Sequence, residues 1–437
     1  MSSTLPSTTG TGSGNRDLVR EQYEQFPYPP RDPREERTRL KRTYLDALEV
    51  INHYGFGGRR DMRQGLRALV AGGGTGDAAI HLAEQLRETP SRVVYVDISR
   101  TSMEIAQQRA AVRGLNNIEW HLASLVELPK LGVGPFDYID CAGVLHHLTD
   151  PAAGLAALAS VLAEDGVLGL MLYAKYGRTG VYQMQELLQL ITANQHSAAE
   201  RLSTTRRVLR TAPETNWYRK GAHLFVENDQ SSDADLFDLL LHSQDRAYSV
   251  RDVHELLATS DLHLIEFNPE LRARYRPRFT ITDPELTALV RELPLAEQQA
   301  VSELMTGTIT RHEFYAARRP DTAATIDCME NVLFFGLATA SMGTKLSPDL
   351  WDLRFTQAFR LTTKPSPLAH QFVSLIDGQR TVGEIVTQLV QTGAATDAPT
   401  AFTNVCECYE LLNLIDVLLL RHRDVPLYRP LQQRNVA

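Results

Sequence analysis

The residues best suited to chemistry fall in a few short stretches. Gly72-Gly73-Gly74-Thr75-Gly76 runs directly into Asp77, Asp97 closes an apolar run further on, His146 and His147 are adjacent, and Tyr28 and Tyr173 flank the whole stretch. Glycines let a backbone approach a ligand where a Cβ would collide. An acid at the tip of a strand can accept both hydrogen bonds of a ribose diol. His146, His147, Tyr28 and Tyr173 are candidates to move or orient a proton. A dinucleotide fingerprint would need G-x-G-x-x-G. Counted from Gly72, its third glycine would fall on Asp77, whose carboxylate would repel a pyrophosphate. A nicotinamide oxidoreductase is therefore disfavoured.

These residues need elements to hold them. Leu66 to Ala71 is an apolar run entering the glycines; a helix with Ala79, Leu82, Ala83 and Leu86 on one face follows, then the run Val93 to Val96 ending in Asp97. Strand, glycine turn, helix, strand and acid make the first half of a doubly wound sheet. Ser99 opens the next helix, with Met103, Ala106 and Ala110 as its buried face and Gly114 as its stop. Asn117 to Leu122 predicts a short strand. Asp150-Pro151 predicts a capped helix start, with Leu155, Leu158 and Leu162 as the buried stripe. Asp165-Gly166 is expected to turn the chain into a strand from Val167 to Tyr173. Ser249-Val250-Arg251-Asp252 is a capping box for a helix through Leu257. His263 to Phe267 reads as the sixth strand and His312 to Ala316 as the seventh, antiparallel one.

The pattern G-x-G-x-G with Asp97 resembles the glycine motif and the acid that follows it in class I S-adenosylmethionine-dependent methyltransferases. Phe136-Asp137 through Val144-Leu145-His146-His147-Leu148 resembles the fourth-strand motif of the same enzymes. The resemblance implies an α/β fold, a doubly wound seven-stranded sheet of order 3-2-1-4-5-7-6, with S-adenosyl-L-methionine as cofactor. It implies cofactor contacts at Gly72, Gly74, Gly76, Asp77, Asp97, Ile98, Ser124, Leu125, Cys141 and Ala142. Asp97 would hold the ribose, Ser124 and Leu125 the adenine slot, and the small residues near 142 would leave room beside the sulfonium. His146, Tyr28 and Tyr173 are the catalytic candidates it leaves, and methyl transfer requires no metal. One position departs from the family: an acid usually stands two residues before the first glycine, and here that residue is Val70. Asp77 is the candidate to compensate near the methionine ammonium.

The remainder of the 437 residues defines the organisation. Residues 1–16 are rich in Ser, Thr and Gly and read as a disordered tail. Residues 17–60 form an aromatic-proline strap and a helix, residues 61–319 the methyltransferase domain with a helical insertion at 174–247, and residues 326–437 a smaller, mainly α module. The strap, with Tyr23, Phe26 and Tyr28 among prolines, resembles one in the rickettsial outer-membrane-protein lysine methyltransferases. The C-terminal module resembles small winged-helix-like modules appended to bacterial methyltransferases, and is read as contacting a protein or dimerising the chain. Cys406 and Cys408 form a C-x-C without a second ligand pair, and metal binding is not expected. A net charge of -8 argues against nonspecific nucleic-acid binding. No apolar run is long enough to span a bilayer, and the four cysteines suit a reducing cytoplasm. The extra chain beyond the core points to a protein or peptide acceptor, methylated at nitrogen. A small-molecule acceptor and a catalytically silent, cofactor-binding scaffold are the alternatives.

Overall fold

The computed structural model describes residues 12–431, apart from 226, 337–344, 348, 357 and 358. Strands β1 (Arg67–Ala71), β2 (Arg92–Asp97), β3 (Ile118–Leu122), β4 (Phe136–Ala142), β5 (Leu162–Tyr173), β6 (His263–Phe267) and β7 (Arg311–Ala317) form one sheet. Its order is β3-β2-β1-β4-β5-β7-β6, as expected. β1, β2, β3, β4 and β5 pair in parallel, whereas β7 runs antiparallel to both β5 and β6. β1 and β2 are apolar almost throughout because helices cover both their faces.

Helices α1 (Gly12–Gln25), α2 (Leu48–Gly55), α3 (Asp77–Gln85), α4 (Arg100–Arg113) and α5 (Pro151–Ser160) follow in chain order. One face of the sheet packs Ala68, Val70 and Tyr138 against Val50, Leu82 and Ala106 of α2, α3 and α4. The other packs Leu69, Ile139 and Leu170 against Leu155 and Leu158 of α5. The expected caps are present: Ser99 accepts from the Ser102 N–H, Gly114 ends α4 in the left-handed region, and Asp150 accepts from the Ala153 N–H. Two boundaries differ from the sequence reading. Residues 12–16, assigned to the tail, begin α1; the rest of that tail lies outside the described residues. β5 begins at Leu162, because Gly166 passes against the Phe136 carbonyl and lets the strand bend instead of breaking. A Cβ there would lie 2.9 Å from that oxygen.

The insertion folds as α6 (Thr179–Ile191), α7 (Ala198–Thr211), α8 (Trp217–Lys220) and α9 (Asp233–Leu240) around Met184, Leu188, Leu236 and Phe237. Phe26 of the strap stacks on Phe237 at 4.7 Å, so the strap packs on the insertion as well as the sheet. After α10 (Val250–Ala258), four helices lie between β6 and β7: α11 (Pro269–Arg272), α12 (Pro277–Thr280), α13 (Pro284–Arg291) and α14 (Leu295–Thr306). Beyond β7, β8 (Asn331–Phe335) pairs with a strand at Leu418–His422, and Lys345–Leu346, Trp351–Thr356 and Phe359–Thr363 form a second antiparallel sheet. Helices Ala369–Ser374, Val382–Gln391 and Ala398–Asn413 complete the region. It docks on α2 and α11 through buried Asp416, which accepts from Tyr54 at 2.6 Å and pairs with Arg272 at 2.8 Å.

A buried ion network ties the strap to the glycine turn. Arg109 of α4, 1% exposed, binds Glu36 at 2.6 Å, Asp77 at 2.8 Å and the Thr75 carbonyl at 2.7 Å. Arg113 and Arg31 complete it on Glu36 and Asp77. Removing one member leaves a buried charge uncompensated, which costs about 3–5 kcal/mol. Arg109→Ala is expected to lower the urea midpoint accordingly. A shift within error would show the network to be solvated.

Candidate active site

A cavity of about 1120 Å³ opens at the C-terminal ends of β1, β2 and β4, the position where ligands bind in doubly wound sheets. It exceeds the roughly 300–1,000 Å³ of ordinary small-ligand pockets, giving room for a cofactor and part of an acceptor. Gly72 and Gly74 line it, both with positive φ. A Cβ on Gly74 would sit 2.6 Å from the Tyr28 carbonyl oxygen, so glycine there lets the strap close over the turn. Gly74→Val is therefore expected to push the strap away while adding about 1–2 kcal/mol of backbone strain. The check is calorimetry with S-adenosylhomocysteine, which should show roughly tenfold or greater weakening. Normal binding would place the ligand elsewhere.

Asp97 sits at the cavity wall with Oδ2 accepting from the Gly74 N–H at 2.8 Å and Oδ1 from the Ser99 N–H at 2.7 Å. A carboxylate has further lone pairs on each oxygen, and these suit the two hydroxyls of a ribose. Burial raises its pKa, an effect opposed by the backbone N–H groups of Ser99, Gly74 and Ile98. Ile98, Ser124, Leu125 and Ala142 also line the cavity. Ser124 stands at the end of β3, with its N–H held by Glu127 at 3.0 Å. Apolar Leu125 and polar Ser124 thus stand with Asp97 at the cavity wall.

Four expected site residues are placed differently. Cys141 is turned away from the cavity into the core, because alternation along β4 sends Asp140 and Ala142 to the cavity face and Cys141 to the opposite one. Gly76 does not line the cavity; its missing Cβ, which would meet Ala106 at 2.7 Å, lets α3 pack on α4. Asp77 lines the cavity, but Arg31 and Arg109 occupy its carboxylate, and these partners hold its pKa below the usual range despite burial. It is not available to an ammonium. His146 is fully buried behind the wall, stacked on Tyr173 at 3.9 Å with neither ring nitrogen hydrogen-bonded. Burial holds it neutral, far below its ordinary pKa.

His147, its neighbour, is the imidazole that lines the cavity. Its Nδ1–H donates to the Gln244 carbonyl at 2.8 Å, which fixes the tautomer and leaves Nε2 with a lone pair. Its ring stacks on His242 at 3.7 Å. His242 Nδ1 accepts from the Gln244 N–H, so its Nε2–H meets the Tyr23 hydroxyl at 3.2 Å. Tyr23 in turn donates to Asp238 at 3.2 Å, and Tyr173 donates to the other oxygen of Asp238 at 3.0 Å. Burial, followed by the Asp238 charge, raises the Tyr173 and Tyr28 pKa values, which favours the protonated phenols. His147, Asp238 and His242 are close enough to suggest a metal cradle. The imidazoles of His147 and His242 stack, and both nitrogens of His242 are hydrogen-bonded, to Gln244 and Tyr23. Asp238, Gln244 and His242 belong to the insertion, and Tyr23 to α1. Their pairing with His147 spans too much chain for local pattern to reveal it.

The sheet order and the glycine turn under Asp97 are those of a class I S-adenosylmethionine-dependent methyltransferase. The comparisons agree. A family model described as a methyltransferase domain matches residues 69–168. A protein of Synechococcus sp. is 30% identical over 302 residues, 68% of this chain and 70% of that one. The tRNA 5-carboxymethoxyuridine methyltransferase of Escherichia coli is 35% identical over 115 residues, covering 26% of this chain and 42% of that enzyme. The structure of PKMT2 from Rickettsia typhi in complex with AdoHcy shares the fold, with a TM-score of 0.62 at 14% identity over 91% of this chain and 77% of that one. The chain thus belongs to the class I methyltransferase family, and it is an enzyme that uses S-adenosyl-L-methionine. No helix among the described residues is long and apolar enough to cross a membrane.

Proposed function

We propose that the chain is an N-methyltransferase acting on an amine-bearing side chain of a protein or peptide, with His147 taking the proton from the nucleophile. The cofactor supplies a methyl group already activated on a sulfonium, so the protein's work is alignment and deprotonation. The observation that carries this reading is a tautomer-fixed His147 facing a cavity lined by more carboxylates than cationic side chains. Such a cavity attracts an ammonium and repels a phosphodiester. Gly72, Gly74, Asp97, Ile98, Ser124, Leu125 and Ala142 are the residues we assign to the cofactor, and Tyr28 and Tyr173 the aromatic wall beside the transferred methyl. The strap and the appended C-terminal region, with their likeness to lysine methyltransferases, support the same acceptor. A small-molecule acceptor is the second reading, favoured by one feature: Asp238 and Gln244 of the insertion roof the cavity and limit what can enter it. Ubiquinone biosynthesis O-methyltransferases are among the curated relatives.

Incubating the full chain with methyl-labelled cofactor and cell extract separates these acceptors. Label is expected in protein, released by acid hydrolysis as an N-methyl amino acid. Label confined to the nucleic-acid or organic-solvent fraction would overturn the proposal. Truncation before β8 is a poor substitute, since it would strip Asp416 from buried Arg272 and Tyr54.

A further inference from the structure

Two carboxylates on the cavity floor have no cationic partner among the described residues. Asp140 of β4 is 4% exposed, and its Oδ1 has no hydrogen-bond partner among the described residues. Asp46 is 1% exposed and is held at its position by the Tyr138 hydroxyl at 3.2 Å. Tyr138 and Asp140 alternate on the same face of β4. Gly169 across from Asp140 has no side chain, which gives the Tyr138 hydroxyl its room. Burial raises the pKa of Asp46 to about 6, and burial together with the Asp46 charge raises that of Asp140 well above the carboxylate range. Each acid is therefore unfavourable as an isolated anion and takes up its charge when a cation enters beside it.

The sheet says which cation. Its order is β3-β2-β1-β4, with neighbouring strands about 4.8 Å apart. Ser124 and Leu125 follow β3, Asp97 ends β2, Gly72 follows β1, and Asp140 lies on β4. An adenosine with its base at β3 and its ribose at β2 sends its 5′ substituent over β1, and the tail of that substituent reaches β4. Asp140 is the registered neighbour of Val70 on β1, the last inward-facing β1 side chain before the glycines. Asp77, the other nearby acid on the turn, is already paired with two arginines.

We propose that Asp140, supported by Asp46, holds the α-ammonium of the cofactor's methionine arm, so that β4 carries the acid that β1 lacks. The inference rests on the placement of the adenosine at Asp97 and Ser124.

The test uses three ligands in calorimetry with the full chain: S-adenosylhomocysteine, its desamino analogue, and 5′-methylthioadenosine, which lacks the whole arm. The wild-type chain is expected to bind S-adenosylhomocysteine about tenfold or more tighter than the desamino analogue. In Asp140→Asn that preference is expected to fall below about threefold, with 5′-methylthioadenosine bound as tightly as by wild type. Asp46→Asn should narrow the preference by a smaller factor, and it gives an independent reading should Asp140→Asn melt early. Full preference retained in both variants overturns the proposal. Equal loss of all three ligands in a folded variant overturns it as well, by showing a general effect on the cavity. If Asp97→Ala leaves 5′-methylthioadenosine binding intact, the adenosine placement itself has failed, which is a separate result.

Discussion

Replacing His147 by Gln is expected to slow methyl transfer by about 10²–10⁴-fold, the usual contribution of a positioned general base. Glutamine keeps much of the ring's volume and a hydrogen bond to the Gln244 carbonyl but supplies no proton acceptor of comparable basicity. Cofactor affinity should be nearly unchanged, since we assign the adenosine to Asp97, Ser124 and Leu125 and not to His147. The measurement is the rate of label incorporation into extract protein, set beside calorimetry with S-adenosylhomocysteine. His146→Gln is the informative contrast. His146 is sealed behind Tyr173 with both ring nitrogens unbonded, so its replacement should act on packing and leave the pH profile of the rate unchanged. Equal rates for wild type and His147→Gln would mean that the nucleophile arrives already deprotonated.

Asp97→Ala is expected to weaken S-adenosylhomocysteine binding by at least about tenfold, because a charge-assisted hydrogen bond contributes about 1.5–3 kcal/mol. The carboxylate does two jobs. It lines the cavity where we place the ribose, and it holds the Gly74 and Ser99 N–H groups that shape the turn and open α4. Asp97→Asn separates them, since its amide oxygen can still accept from one backbone N–H. Its loss should be smaller than that of alanine and confined to ligands carrying both ribose hydroxyls, a 2′-deoxy analogue serving as the probe. Unchanged affinity in folded Asp97→Ala would remove Asp97 from the cofactor site.

Local pattern made much of this molecule legible. The apolar run into Gly72, the acid at Asp97 and the caps at Ser99, Asp150 and Ser249 are all short-range signals, and they stand where expected. The placement of Cys141 could have been read too. Period-2 alternation from Tyr138 puts Asp140 and Ala142 on one face and Cys141 on the other. Likewise Pro269, Pro277 and Pro284 each begin a helix between β6 and β7, a first-turn signal that the strand pattern overshadowed. The choice between His146 and His147 was not legible. They share one 3₁₀ turn, and which ring meets the cavity depends on Tyr173, His242 and Gln244, which lie in distant parts of the chain. The ion pairs that occupy Asp77 depend in the same way on Arg31 in the strap and Arg109 in α4.

A crystal structure of the full chain with S-adenosylhomocysteine tests the central claim most directly. The predicted result has the ribose hydroxyls within hydrogen-bonding distance of both Asp97 oxygens, the adenine against Leu125 beside Ser124, and His147 Nε2 facing the space beyond the sulfur where an acceptor would stand. A nucleoside bound away from Asp97, or a sulfur whose open side faces a wall without His147, would contradict the account.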